Sequence, residues 1–212
     1  MIFKDRQEAG QKLLSKLAQF KNKPNTIVLG LPRGGIVTAF EIAQGLNLPL
    51  DLVVPRKIGA PDNPEFAIGA ITEDGEGVFN QDVISTYGIS QDYIQKEVEK
   101  EKKEAKRRLL LYRGDRLPLD LKNKVAIIVD DGVATGSTIL AAIKSVRAKG
   151  AKKIVVAVPV TAQDSLKKIK NEVDEVIYLD APLFFGAVGA FYKIFDQTED
   201  EEVIDLMKKA KI

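Results

Sequence analysis

Residues 125–138 read Val125-Ala126-Ile127-Ile128-Val129-Asp130-Asp131-Gly132-Val133-Ala134-Thr135-Gly136-Ser137-Thr138. The first five are apolar and mostly β-branched, the composition of a strand buried on both faces. Two carboxylates follow the strand, and a Gly/Thr/Ser segment then opens a helix over 136–149 that Gly150 closes as a C-cap residue. Open α/β sheets hold ligands at the carboxyl ends of their strands, so the acidic pair and the loop stand where a ligand belongs. Backbone N–H groups at a helix N-terminus, together with the hydroxyls of Thr135, Ser137 and Thr138, make a cradle for phosphate. Asp130 and Asp131 can orient sugar hydroxyls or the water shell of Mg2+, a hard cation that prefers oxygen. Phosphate and a metal-dressed diol then belong to one ligand.

Upstream, residues 26–31 (TIVLGL) form a second buried strand that runs into Pro32-Arg33-Gly34-Gly35. Adjacent glycines let backbone amides approach an anion closely, and Arg33 offers a charged fork for its oxygens. Helical spacing over 36–46 and an apolar run at 50–54, stopped by Pro55, complete a βαβ unit. An amphipathic helix is expected over 5–20, and a mobile loop with a hairpin over 56–80. Residues 92–112 read as a charged helix, in which 96–108 carry 7 basic and 4 acidic side chains. The spacing of Glu104 and Arg108 favours a solvated, ion-paired face over an RNA-binding stripe. Strands at 153–158 and 175–179 flank a helix at 162–171. The tail holds Phe184, Phe185, Phe191, Tyr192 and Phe195, then an acidic run at 199–202 that suits the start of a last helix. The expectation is one α/β domain over 1–212, with a core of about 22–180 and additions at 1–21 and 181–212.

Composition narrows the chemistry. The 212 residues include no His, Cys or Trp, which excludes Ser-His-Asp and Cys-His nucleophilic sites, thiolate redox pairs, disulfides and zinc sites built on Cys or His. Lys plus Arg is 32 against 30 Asp plus Glu, a net charge of +2 that gives no electrostatic reason to expect nucleic acid. Residues 1–14 lack a leader's apolar stretch, and no apolar run nears the roughly 18 residues of a membrane span, so a soluble cytoplasmic protein is expected. Neither glycine-rich loop carries the Lys of a Walker A motif, and the dinucleotide fingerprint is absent.

The stretch VAIIVDDGVATGST resembles the phosphoribosyl pyrophosphate (PRPP) signature of type I phosphoribosyltransferases. LGLPRGG, LYRGDRLPLDL and APLFFGAVGAFYKIFDQTEDEE extend the resemblance over nearly the whole chain, to a bacterial and archaeal group whose acceptor is unassigned. The resemblance implies a mostly parallel central sheet flanked by helices, a flexible loop or hairpin insertion and a C-terminal hood. It implies transfer of the phosphoribosyl group of PRPP to a nitrogen acceptor with release of pyrophosphate, dependent on Mg2+ with Mn2+ as the alternative. Asp130 and Asp131 would hold the ribose hydroxyls and the metal's water shell. Ala134, Thr135, Gly136, Ser137 and Thr138 would wrap the 5-phosphate. Pro32, Arg33, Gly34 and Gly35 would form the pyrophosphate loop, with Arg33 beside the two acids as the third catalytic group. Arg56 and Lys57 would open the flexible loop and add positive charge at pyrophosphate. Phe184, Phe185, Phe191 and Tyr192 would form the hood over the acceptor, or else a satellite cluster on the N-terminal helix. Ala134 stands where hypoxanthine-guanine enzymes carry an Asp, which disfavours a 6-oxopurine. The implied partners are PRPP and a small nitrogenous acceptor, with a homodimer as the candidate assembly; the rival reading is a PRPP-sensing regulator.

Overall fold

The computed structural model describes residues 1–118 and 120–211. In chain order the elements are α1 (Arg6–Leu14), β1 (Thr26–Gly30), α2 (Gly34–Leu46), β2 (Leu50–Leu52), β3 (Arg56–Ala60), β4 (Asn63–Ile71), β5 (Gly77–Phe79), α3 (Gln81–Thr86), α4 (Gln91–Arg113), β6 (Val125–Val129), α5 (Ser137–Ala148), β7 (Lys153–Val160), α6 (Gln163–Lys170), β8 (Glu175–Asp180) and α7 (Asp200–Lys209). Five strands form a parallel sheet in the order β2-β1-β6-β7-β8. Alternate side chains leave opposite faces of a strand, and each face here finds its own cover. Val28, Leu50, Ile127, Val129 and Val155 pack with Ile36, Ile42 and Leu46 of α2 and with Val203 and Met207 of α7. Ile27, Leu29, Ala126, Ile128 and Val156 pack with Ile139, Ile143 and Val146 of α5 and with Ile169 of α6.

The helix expected over 5–20 is shorter. Asp5 accepts from the Glu8 amide at 2.9 Å and caps α1, which ends at Leu14, and a 3-10 turn at Ala18–Phe20 follows. In the segment 56–80 the expected hairpin is present as β4 and β5, whereas the stretch before it, expected as a loop, forms β3 and the start of β4 and extends the hairpin into a three-stranded antiparallel sheet. Ile58, Ile68 and Ile71 of that sheet share a separate core with Ile84, Ile89 and Ile94 around α3 and α4. The partners that order it lie well downstream, which is why local turn residues pointed to a loop.

Two polar staples dock these additions on the sheet. Arg113, at the end of α4, donates to both oxygens of the buried Asp51 on β2 at 3.0 and 3.1 Å. The β4–β5 turn is tied to the last turn of α5, where Ser145 Oγ donates to Asp74 Oδ2 at 2.6 Å and Lys149 Nζ lies 2.7 Å from Glu73 Oε1. Burial pushes the Asp74 carboxyl up, but the hydrogen bonds from Ser145 and Thr72 and the Lys149 charge outweigh it and hold it at about 2. A carboxyl held below its ordinary 3.8 stabilises the fold above that pH, and the contribution fades as pH falls through about 2. Asp74→Asn is expected to cost about 2 kcal/mol at pH 7, with the gap from the parent closing between about pH 4 and pH 2 in denaturant titrations. Ser145→Ala should cost about 1 kcal/mol.

Candidate active site

The site begins where β1 and β6 end. They are neighbours in parallel register with Gly30 opposite Val129, and the Leu31 amide donates to the Val129 carbonyl at 3.0 Å. β2 lies beyond β1 and β7 beyond β6, so the strand order turns here and the two following loops leave the sheet side by side. One loop is Leu31 to Gly35, in which the Pro32–Arg33 peptide is cis. The other carries Asp130, Asp131 and the segment to Thr138.

Close approach of these loops explains the two glycines. A Cβ on Gly34 would collide with the Asp131 carboxylate and lie 2.6 Å from Arg6 Nε. On Gly35 it would lie 2.7 Å from Asp130 Oδ1 and 2.9 Å from Asp130 Cα. Arg33 stands at the N-terminus of α2, and its Nη1 lies 3.4 Å from Glu199 Oε2 and 3.6 Å from Asp200 Oδ1.

Burial, then the negative charge of Asp131, pushes the Asp130 carboxyl well above its ordinary value. Burial also raises Asp131, against the hydrogen bond and charge of Arg6. That partner comes from α1: Arg6 Nε donates to Asp131 Oδ2 at 2.7 Å, and both side chains are largely buried. Arg6 Nη1 donates to the Asp196 carbonyl at 2.8 Å, and its guanidinium carbon sits 3.9 Å from the centre of the Phe195 ring.

The Thr135–Thr138 segment turns through Gly136, whose φ of 82° lies in the left-handed region, before α5 begins at Ser137. Ser165 Oγ, from α6, donates to the Ala134 carbonyl at 2.6 Å and steadies the loop. Thr135 and Ser137 line a cleft of about 320 Å³ with Lys168 of α6, with Gly69 and Phe79 of the small sheet and with Asn80, which caps α3. A roomier cleft of about 750 Å³, lined by Phe66, Tyr87 and Tyr93 between the β3–β4 turn and α3–α4, contains none of the residues of either loop.

Two groups of expected site residues have partners that the sequence does not reveal. Arg56 is turned towards α4, where its Nε donates to Glu101 Oε2 at 2.7 Å, and Lys57 sits on β3 opposite Ala70 in the ladder. Both belong to a regular strand because apolar contacts across the small sheet order it. Tyr192 is not an open hood residue. It is only 7 % exposed, its ring stacks on Phe195 at 4.9 Å and tilts against Phe3 at 5.4 Å, and its hydroxyl donates to the Asp131 carbonyl at 2.5 Å. Phe185 and Phe191 pair at 5.1 Å, while Phe184 is 93 % exposed. Phe185, Phe191, Tyr192 and Phe195 pack with Phe3 of the N-terminal segment, and Phe184 projects from that group.

Sequence reasoning missed Arg6, Glu199, Asp200 and Tyr112, whose hydroxyl donates to Asp200 Oδ1 at 2.6 Å. Tyr112 lies within the motif LYRGDRLPLDL, next to Arg113 at the end of α4. Nothing local marks Arg6.

Residues 3–192 match the phosphoribosyl transferase domain family. The chain belongs to that family. Two Mycobacterium tuberculosis proteins, each bearing the name "Putative phosphoribosyl transferase", share 43% identity with this phosphoribosyl transferase domain over 209 residues, 99% of the chain. The chain spans 47% of their length, about half. The crystal structure of TT1426 from Thermus thermophilus aligns with a TM-score of 0.83 at 39% identity over 99% of both chains. Uracil phosphoribosyltransferase of Acinetobacter baylyi shares 41% identity over 61 residues, 29% of either chain. The parallel five-stranded sheet flanked by helices is the type I architecture of this family.

Docking of the two loops of the phosphoribosyl transferase domain depends on a bare backbone at residue 35. Gly35→Ala is expected to lower stability by about 1–3 kcal/mol, the usual cost of overpacking, as measured by denaturant titration. Ala at Gly186, where a Cβ meets nothing within 4 Å, should be nearly neutral.

Proposed function

We propose that the chain binds PRPP and transfers its phosphoribosyl group to a small nitrogenous acceptor, releasing pyrophosphate. The observation that carries this reading is the meeting of three groups at the strand switch point: a paired carboxylate, a helix-opening loop of hydroxyls and amides, and a double-glycine loop against the carboxylates. Each suits one part of a single ligand. The amides and hydroxyls of Ala134 to Thr138 receive the 5-phosphate. Asp130 and Asp131 accept hydrogen bonds from the ribose hydroxyls. The α2 N-terminus at Gly34-Gly35, with Arg33, faces the pyrophosphate.

The donor set also suits a divalent cation. Among the described residues no three acidic side chains gather into a cage, and the two carboxylates present are hard oxygen donors, so Mg2+ or Mn2+ would be held mostly by ligand oxygens and water, with Asp130 and Asp131 contacting its water shell. Such an ion, when bound, neutralises charge on the pyrophosphate.

In this displacement a C–N bond forms at C1 of the ribose as the C–O bond to pyrophosphate breaks, and the electron pair leaves with pyrophosphate. Charge grows on the leaving group, so Arg33 and the Gly34 and Gly35 amides act where they strengthen the transition state most. The carboxylates hold the sugar in line with the acceptor. Arg33 reaches the leaving group by giving up Glu199 and Asp200, a partly exposed pair of modest cost to break. Phe184, Phe185 and Phe191 supply an aromatic wall for a planar acceptor. Ala134 offers no carboxylate to a 6-oxopurine, so a base or amine without that requirement is the favoured acceptor.

Asp131→Asn is expected to weaken Mg-PRPP binding by at least about tenfold, or 1.4 kcal/mol, in calorimetric titrations, and unchanged affinity would remove the acidic pair from the ligand. A screen of bases and amines with PRPP and Mg2+, following pyrophosphate release, identifies the acceptor. Tight PRPP binding with no release for any acceptor would favour a PRPP-sensing regulator.

A further inference from the structure

Arg6 is the one basic side chain seen directly on the acidic pair among the described residues, yet it lies 125 residues away and outside both loops. Four groups fix it: Asp131 Oδ2 at 2.7 Å from Nε, the Asp196 carbonyl at 2.8 Å from Nη1, the Phe195 ring 3.9 Å below the guanidinium carbon, and the bare Cα of Gly34 beside Nε. A buried ion pair adds little net stability, since desolvation offsets most of the attraction, but it sets orientation strictly. The main chain of Asp131 is fixed as well, by the Tyr192 hydroxyl on its carbonyl. Tyr192 and Phe195 belong to one aromatic stack that rests on Phe3, and Phe3 pairs with the tail through its amide on the Phe191 carbonyl at 2.8 Å and its carbonyl under the Lys193 amide at 2.8 Å. The N-terminal segment and the tail therefore converge on one carboxylate.

We infer that Arg6 is a positioning residue for this site: by occupying Asp131 Oδ2 it turns Asp131 Oδ1 towards the ribose hydroxyls of the phosphoribosyl ligand. The inference rests on the reading of Asp130 and Asp131 under Proposed function. Arg6 acts through Asp131, so its effect falls first on ligands that carry the ribose and only secondarily on Mg-pyrophosphate, which meets Asp131 through the water shell of the ion. Lys in its place keeps the charge but loses the planar fork that serves Asp131 and Asp196 together.

The test measures dissociation constants for Mg-PRPP, ribose 5-phosphate and Mg-pyrophosphate by calorimetry, for the parent chain, Arg6→Gln, Arg6→Lys, Asp131→Asn and the Arg6→Gln/Asp131→Asn double variant. Expected for Arg6→Gln is a loss of about tenfold or more for PRPP and ribose 5-phosphate with a distinctly smaller loss for Mg-pyrophosphate, a smaller loss for Arg6→Lys, and no further loss when Arg6→Gln is added to Asp131→Asn. PRPP affinity unchanged in Arg6→Gln, an equal loss for pyrophosphate, or additive losses in the double variant would each overturn the inference, the last two by making Arg6 a general scaffold. Should Arg6→Gln fail to fold in thermal melts, Arg6→Lys decides by the same ratio of sugar to pyrophosphate losses. If the parent chain binds no PRPP, the proposed function fails and takes the inference with it; if the parent binds and the Arg6 variants bind alike, only the inference fails.

Discussion

Everything at the candidate site follows from the pairing of β1 with β6. Parallel register places Gly30 opposite Val129, so the chain leaves the sheet twice within one strand spacing, about 4.8 Å. Two loops emerging that close need a small residue where they touch, and Gly34 and Gly35 meet the need against Asp131 and Asp130. The same closeness buries the carboxylates against each other, and that burial raises the pKa of both. Geometry and electrostatics are two results of one hydrogen-bonded ladder.

Charge in the resting protein is balanced in pairs. Asp131 has Arg6, Arg33 has Glu199 and Asp200, and Asp200 also receives the Tyr112 hydroxyl. Members of each set come from different parts of the chain: α1 with the loop after β6, and the loop after β1 with α7 and α4. A ligand of opposite polarity at each end, hydroxyls at one and phosphate oxygens at the other, meets side chains already oriented by these partners.

How much of this is legible in the sequence depends on distance along the chain. Strand, acidic pair, loop and helix at 125–138 are contiguous, and apolar run, turn glycines and helix start can be read in line, as can the loop at 31–35. The β4–β5 hairpin of the small sheet is legible, but β3 is misread as loop because Ile58 is ordered by Ile84 and Ile94, whose contribution local periodicity does not reveal. Tyr192 looks like its aromatic neighbours in the tail; only its hydrogen bond to the Asp131 carbonyl and its packing on Phe3 separate it from Phe184. Arg6 is illegible for the same reason. An Arg in the first turn of an amphipathic helix ordinarily faces water, and its actual partner is fixed by tertiary packing.

The anchoring of the β4–β5 turn to the end of α5 has a mechanical side. At about 1.5 Å per residue, the 12 residues of α5 form a strut of roughly 18 Å, with Glu73 and Asp74 gripping Lys149 and Ser145 at one end and Gly136 and Ser137 opening the hydroxyl loop at the other. Gly69 and Phe79 on one wall of the smaller cleft and Thr135 and Ser137 on the other are therefore braced by the same helix, and the close packing around it fixes the span between them.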